Sequence, residues 1–259
     1  DNIKNLFGNK EWNEILNTNK KRAPGIDENL AKHLLNYKKN TPSEMREQVM
    51  KPWFQTMYNQ EQHYDYQYIH QVFTHMLDEY ESPKNRLTQQ HSEGWYATNI
   101  WSMLIDKAFL NVLNIELVCE DTCSIASSNR KNDNELYKIK GQRKAIGRRI
   151  DGIFKNTVNG YEYGGIEVSK ICQGPHERKN LDIVKKMEIV GLLHSRLQLQ
   201  QLLMDYGGGS CLRLKKEDTI SVPLHLGDVM ELITMISNIL RAKLRISHCI
   251  KLLKKTEPE

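Results

Sequence analysis

Residues 147–170 constrain the fold most: Gly-Arg-Arg-Ile-Asp-Gly-Ile-Phe, a turn signal at Asn159-Gly160, then Tyr-Gly-Gly-Ile-Glu-Val-Ser-Lys. Short apolar runs on either side of Asn-Gly predict two neighbouring strands joined by a tight turn. Each strand carries one acid. Asp151 lies among Ile150, Ile153 and Phe154, and Glu167 lies between Ile166 and Val168. Both carboxylates are therefore expected near a core edge, where a bare charge is costly and a cation or metal ion is needed to offset it.

Whether the acids meet depends on the register. A three-residue loop of Val158, Asn159 and Gly160 pairs 157 with 161 and so sets 151 opposite 167, on one face and roughly 5 Å apart. A two-residue Asn-Gly turn pairs 151 with 168 and sends the acids to opposite faces. A bulge at Gly164-Gly165 shifts the count either way. All three arrangements fit the residues.

Asp151 on one strand, Glu167 on the next and Lys170 nearby resemble the PD-(D/E)XK, or restriction-endonuclease-like, nuclease superfamily, over roughly Ser92 to His225. The sequence is also loosely similar to fungal proteins of this fold, some related to the nuclease domains of Crinkler-type effectors. The resemblance implies an α/β protein with a restriction-endonuclease-like mixed sheet flanked by helices. It also implies hydrolysis of phosphodiester bonds in DNA or RNA with Mg²⁺ or Mn²⁺. On it, Asp151 and Glu167 are the metal ligands and Lys170 positions water or neutralises the phosphate. Glu93, on the helix before the first core strand, is the further acid of the site. Lys144, Arg148 and Arg149, with Arg178 and Lys185, are the cations that hold nucleic acid.

One spacing departs from the pattern. Glu167-Val168-Ser169-Lys170 is a residue longer than acid-x-Lys, so on a regular strand Lys170 points away from the Glu167 face. The strand ends or bulges at Ser169, or Lys185 or Arg178 takes the role, or the site binds without cutting. The last case is the alternative reading: a catalytically inactive nuclease-fold protein that binds nucleic acid or a protein partner. In a third reading Asp151 and Glu167 simply pair with Arg148, Arg149 or Lys170.

Composition sets the outer limits. The 259 residues hold 37 Lys and Arg against 32 acids, a net charge of +5 and pI of about 8.8, compatible with a phosphate-bearing partner. Five cysteines without a CxxC pair point to neither a disulfide framework nor a structural zinc site, and an intracellular setting, nuclear or cytoplasmic, is expected. No apolar run has membrane-span length, and no signal-peptide pattern opens the chain. Asp1 in the first position is expected of a trimmed chain.

The apolar periodicity divides the chain into a helical N-terminal subdomain over residues 1–90 and a nuclease-like core over 91–259. In the first part, helical spacings are broken at Pro24-Gly25, Pro42, Pro52 and Pro83, and the Tyr and His residues between His63 and His75 are read as packing and surface. Lys20, Lys21 and Arg22, with Lys38 and Lys39, are either solvated loop charges or phosphate contacts. Ser92 caps a long amphipathic helix, Ile115–Cys119 reads as a strand, and residues 127–144 as a polar loop. A second long helix is expected from about Leu181 to Tyr206, followed by a flexible linker at Gly207-Gly208-Gly209-Ser210. Closing strands at 211–214 and 220–224 and a final helix after Gly227-Asp228, basic from Arg241 to Lys255, complete the reading.

Overall fold

The computed structural model describes residues 7–54, 57–123, 128, 149–157, 162–166, 186–208 and 211–254. Four helices come first: α1 (Asn9–Asn17), α2 (Glu28–Leu35), α3 (Pro42–Met50) and α4 (Gln60–Glu81). Each start has a local cause. The Asp27 carboxylate accepts the Asn29 and Leu30 amides at the head of α2. The Thr41 hydroxyl accepts the Glu44 amide ahead of Pro42, and the Asn59 side chain accepts the Gln62 amide. These caps satisfy amides that have no partner within their own helix. Helix α4 then buries Tyr68, Ile69, Val72, Phe73, Met76 and Leu77 along one stripe.

The helix starting after Ser92 runs through three stretches, α5 (Glu93–Tyr96), a wide π-type segment (Ala97–Asp106) and α6 (Lys107–Phe109). The Ser92 hydroxyl caps it by accepting the Trp95 amide at 3.3 Å, and the Lys107 amide reaches back five residues to the Ser102 carbonyl. Helix α4 meets this segment with polar tips on an apolar stripe. The Tyr64 and Tyr68 hydroxyls donate to the Lys107 and Leu104 carbonyls, both at 2.6 Å, and His75 Nε2 lies 2.6 Å from the Asn99 carbonyl. A carbonyl only accepts, so Nε2 carries the proton of that imidazole. The aromatic run of α4 is thus committed to packing.

Among the described residues seven strands form one sheet: β1 (Ile115–Cys123), β2 (Arg149–Asn156), β3 (Glu162–Ile166), β4 (Glu188–Ser195), β5 (Gln198–Gly208), β6 (Cys211–Lys216) and β7 (Ile220–Ser221). The order is β1-β2-β3-β4-β5-β6, with β7 added beside the start of β5. All pairs are antiparallel except β3 with β4. The class is therefore mixed α/β. The last helix, α7 (Val229–Lys254), packs on β3, β4 and β7. Among the described residues a continuous hydrophobic cluster runs from Leu30 to Ile250, taking in α2, α3, α4, the π-type segment, the sheet and α7. Phe154 of β2 is fully buried in it, 4.4 Å from Phe109 between ring centres.

The helix expected over 181–206 is overturned. Residues 188–208 form an antiparallel hairpin, with Glu188 opposite Asp205 and Ser195 opposite Gln198. Residues 181–185 lie outside the described part. The turn is made by Arg196 and Leu197, with Arg196 in the left-handed region at φ 52°. A distant residue supports it: Trp101 Nε1 donates to the Arg196 carbonyl at 2.9 Å, and the Trp101 ring stacks on His194 at 4.9 Å. Of the closing strand expected at 220–224, only Ile220–Ser221 pairs, before Pro223 removes an amide donor. The loop expected over 127–144 lies outside the described residues apart from Ser128.

The linker reading of Gly207 onward is also corrected, for Gly207 and Gly208 belong to β5, while Gly209 and Ser210 lie outside the described residues. Tyr206 faces Leu212 and Gly208 faces Cys211, so Gly207 is the extra residue of a bulge. A Cβ at 207 would stand 3.1 Å from the Ile15 carbonyl oxygen and 3.0 Å from Arg213 Cγ. The glycine lets the end of α1 close on the sheet. There, one Arg213 nitrogen donates to the Ile15 and Leu16 carbonyls at 3.0 and 2.9 Å, and the rest of the fork binds Asp205 at 2.9 and 2.6 Å. Gly207→Val should therefore destabilise the protein by about 1–3 kcal/mol, the usual range for overpacking. A urea midpoint equal to that of the parent protein would exclude this role.

Candidate functional site

Asp151 lies within β2, between Ile150, which faces Thr122 of β1, and Gly152, which faces Cys119 of β1 and Ile166 of β3. Ile153 and Phe154 are 2% and 0% exposed, so β2 is buried on both faces just beyond the acid. On the β3 side Gly152, Ile153 and Phe154 face Ile166, Gly165 and Gly164. These are the pairs through which the three-residue-loop count passes on its way to 151 and 167. Nearer the turn the register slips by one, so that Lys155 faces Glu162. Glu167 itself lies outside the described residues, as do 158–161.

A feature absent from the sequence reading appears on the β1 side. Between Cys119 and Thr122 the register shifts, and β1 sets two residues, Glu120 and Asp121, against the single Asp151 of β2. Two against one is a β-bulge, a device that bends a strand and re-aims its side chains next to functional sites. The backbone thus brings three acidic positions together on adjacent strands. The signal was available in the sequence: a Glu-Asp pair closing the run Ile115 to Cys119, whose other acid is Glu116.

The remaining expected site residues divide into three groups. Arg149 opens β2 opposite Cys123. Glu93 occupies the first turn of α5, where an acid suits the positive end of the helix, and it is exposed. Lys144, Arg148, Lys170, Arg178 and Lys185 lie outside the described residues. Among the described residues no three His, Cys, Asp or Glu side chains gather as a ready metal site.

No family model, curated protein or solved structure matches the chain. Among the described residues no helix is long and apolar enough to cross a membrane.

By residue type, Asp151 and the opposed positions Glu120 and Asp121 are carboxylates, the oxygen-donor class that Mg²⁺ and Mn²⁺ prefer. Nothing at these positions offers the soft sulfur or paired imidazole donors of a zinc site apart from the neighbouring Cys119 and Cys123.

Proposed function

We propose that this chain is a metal-dependent nuclease of the restriction-endonuclease-like type, hydrolysing phosphodiester bonds of DNA or RNA. The observation that carries the reading is the position of Asp151 in the sheet. A helix precedes an antiparallel β1-β2-β3 run, β4 joins parallel to β3, and the acid falls on the middle strand of that run opposite a bulge bearing two more acids. This order agrees with the mixed sheet implied by the resemblance, and 167–187 is long enough for the crossover that a parallel pair requires.

In this reading Asp151 and Glu167 hold one or two Mg²⁺ or Mn²⁺ ions, with Glu120 or Asp121 adding an oxygen donor from the bulge. A bound ion supplies the Lewis acidity that makes water nucleophilic at neutral pH and offsets charge on the phosphate. Lys170, or Lys185 or Arg178 in its place, holds the attacking water or the phosphate oxygens in position. Lys144, Arg148 and Arg149 hold the backbone without reading its bases. Glu93 adds a general acid–base or water-positioning group from the preceding helix.

The test is direct. The protein is incubated with single- and double-stranded DNA and RNA in Mg²⁺, in Mn²⁺ and in EDTA. Cleavage with either metal and none in EDTA is the expected result. Binding without cleavage under every condition supports the second reading, an inactive nuclease-fold binder, which the one-residue excess between Glu167 and Lys170 favours. A protein in which these acids only form ion pairs would neither cleave nor gain thermal stability on addition of Mg²⁺.

A further inference from the structure

Basic residues far apart in sequence meet around one cleft: Lys21 and Arg22 before α2, and Arg245 and Lys251 of α7. Residues 21–25, the start of β4 and the later turns of α7 enclose a cleft of about 420 Å³ lined by Lys21, Arg22, Lys186, Arg245 and Lys251, with Glu188 the one acid among its described lining residues. We propose that this cleft binds the phosphate backbone of a nucleic acid, at a site separate from Asp151. The inference rests on the nuclease reading only for the choice of nucleic acid as the polyanion.

The cleft has a fixed floor and a charged rim. On the floor, Arg245 and Glu188 side chains are 8% and 13% exposed and pair at 2.6 Å, and the Cys249 thiol donates to the Glu188 carbonyl at 3.2 Å. Burial pushes the Cys249 thiol up, so it stays neutral and leaves the positive charge of the cleft intact. On the rim, Arg22, Lys186 and Lys251 are exposed. Glu188 is matched to Arg245, so Arg22, Lys186 and Lys251 give the rim an excess of positive charge that concave walls focus.

The arrangement selects among polyanions. Cations on three separate chain segments exceed the reach of one small anion, whereas successive phosphates of a strand can engage them in turn. A membrane surface requires a convex face with projecting apolar groups, whereas this is a concavity whose described lining includes Pro24 and Leu244 as its apolar side chains. Two strand pairings and an offset along β4 fix the place of the cleft relative to Asp151. Gly152 faces Ile166, Ile166 faces Leu192, and Glu188 lies four residues before Leu192. The cleft is thus roughly 20 Å from Asp151 across the sheet. A strand spanning both places covers about six nucleotides at 3.4 Å each.

The experiment measures binding of labelled single- and double-stranded DNA and RNA by the full chain in EDTA, across a salt series. Arg22→Glu, Lys186→Glu and Lys251→Glu are compared singly and together, with Lys186→Gln and Lys251→Gln as milder versions and thermal melting as the check on folding. Each reversal should weaken binding, and the combined variant should flatten the plot of log affinity against log salt by about 0.9 per lost contact on a duplex, or 0.7 on a single strand. Parent-like affinity and salt slope in the combined variant overturn the inference, as does a loss confined to polyglutamate or phosphatidylserine vesicles. Cleft-dependent binding without metal-dependent cleavage leaves the cleft standing and removes the nuclease reading; cleavage of long substrates indifferent to all the reversals does the opposite.

Discussion

Asp151→Asn should abolish metal-dependent cleavage while leaving the fold and the binding of nucleic acid in place. The amide keeps the size and shape of the carboxylate, and the neighbouring Ile153 and Phe154 continue to bury β2 on both faces. What disappears is the charge that holds the cation. Loss of a group that merely orients a metal ligand already costs 10- to 100-fold, so loss of a ligand should lower kcat/KM by at least about 100-fold. If Lys170 acts, Lys170→Ala should lower turnover far more than it weakens binding, the mark of a group used mainly in the transition state. If Lys185 or Arg178 has replaced it, the loss moves to that residue. Undiminished cleavage by Asp151→Asn would sink the assignment of Asp151 as a ligand, whichever cation proves to matter.

The elements that were legible in the sequence are those with local causes. Ser92 starts its helix through its own side chain, and the stripe Ile100, Trp101, Leu104 and Ile105 is buried where its spacing places it. The strands around Asp151 were readable from apolar runs and an Asn-Gly turn. The β4-β5 hairpin was not, and the reason is physical. Val190, Leu193, Leu197 and Leu203 satisfy a helical spacing, Leu and Gln favour helix, and no Gly or Asn marks the turn at Arg196. The turn depends instead on Trp101, a residue 95 positions away. The pairing of Val190 and Leu192 with Gly164 and Ile166 then outweighs propensity. Gly207 misled for the converse reason, since glycine in a flexible linker and glycine at a close approach look alike until α1 is in place. At the candidate site, two of the three acidic positions went unnoticed because only a bulge sets positions 120 and 121 opposite 151, and alternation along a strand does not announce one.

Raising the pH above 10 should unfold the protein steeply, because the tyrosines that join α4 to its neighbours are buried as phenols. Tyr37 is 0% exposed, stacked on Phe73 at 4.4 Å, with its hydroxyl 3.0 Å from His70 Nδ1, and Tyr68 is 1% exposed and donates to the Leu104 carbonyl. Burial raises both well above the usual phenol value, and it pushes Tyr64 up to about 12, with Tyr58 and Asp65 adding repulsion. A phenolate cannot donate to a carbonyl, so ionisation also breaks these hydrogen bonds. Above pH 10 the folded chain keeps protons that the unfolded chain releases, and stability therefore falls as pH rises from that point towards the folded-state values. Tyr37 and Tyr68 alone contribute a slope of roughly 2.7 kcal/mol per pH unit, against a typical total of about 5–15 kcal/mol. Lys243 works in the opposite sense at lower pH. Burial lowers its pKa despite the Asp65 partner, so its contribution rises with pH and levels off near the unfolded value of 10.5, leaving the tyrosine slope unopposed beyond it. Denaturant midpoints followed from pH 9 to 12 should show the break near 10, and Tyr68→Phe should make the descent shallower by about 1.4 kcal/mol per pH unit, one proton's worth. A slope that Tyr68→Phe leaves untouched would mean that this phenol ionises without unfolding the chain, and the contact between α4 and the π-type segment would then contribute far less to stability than its burial implies.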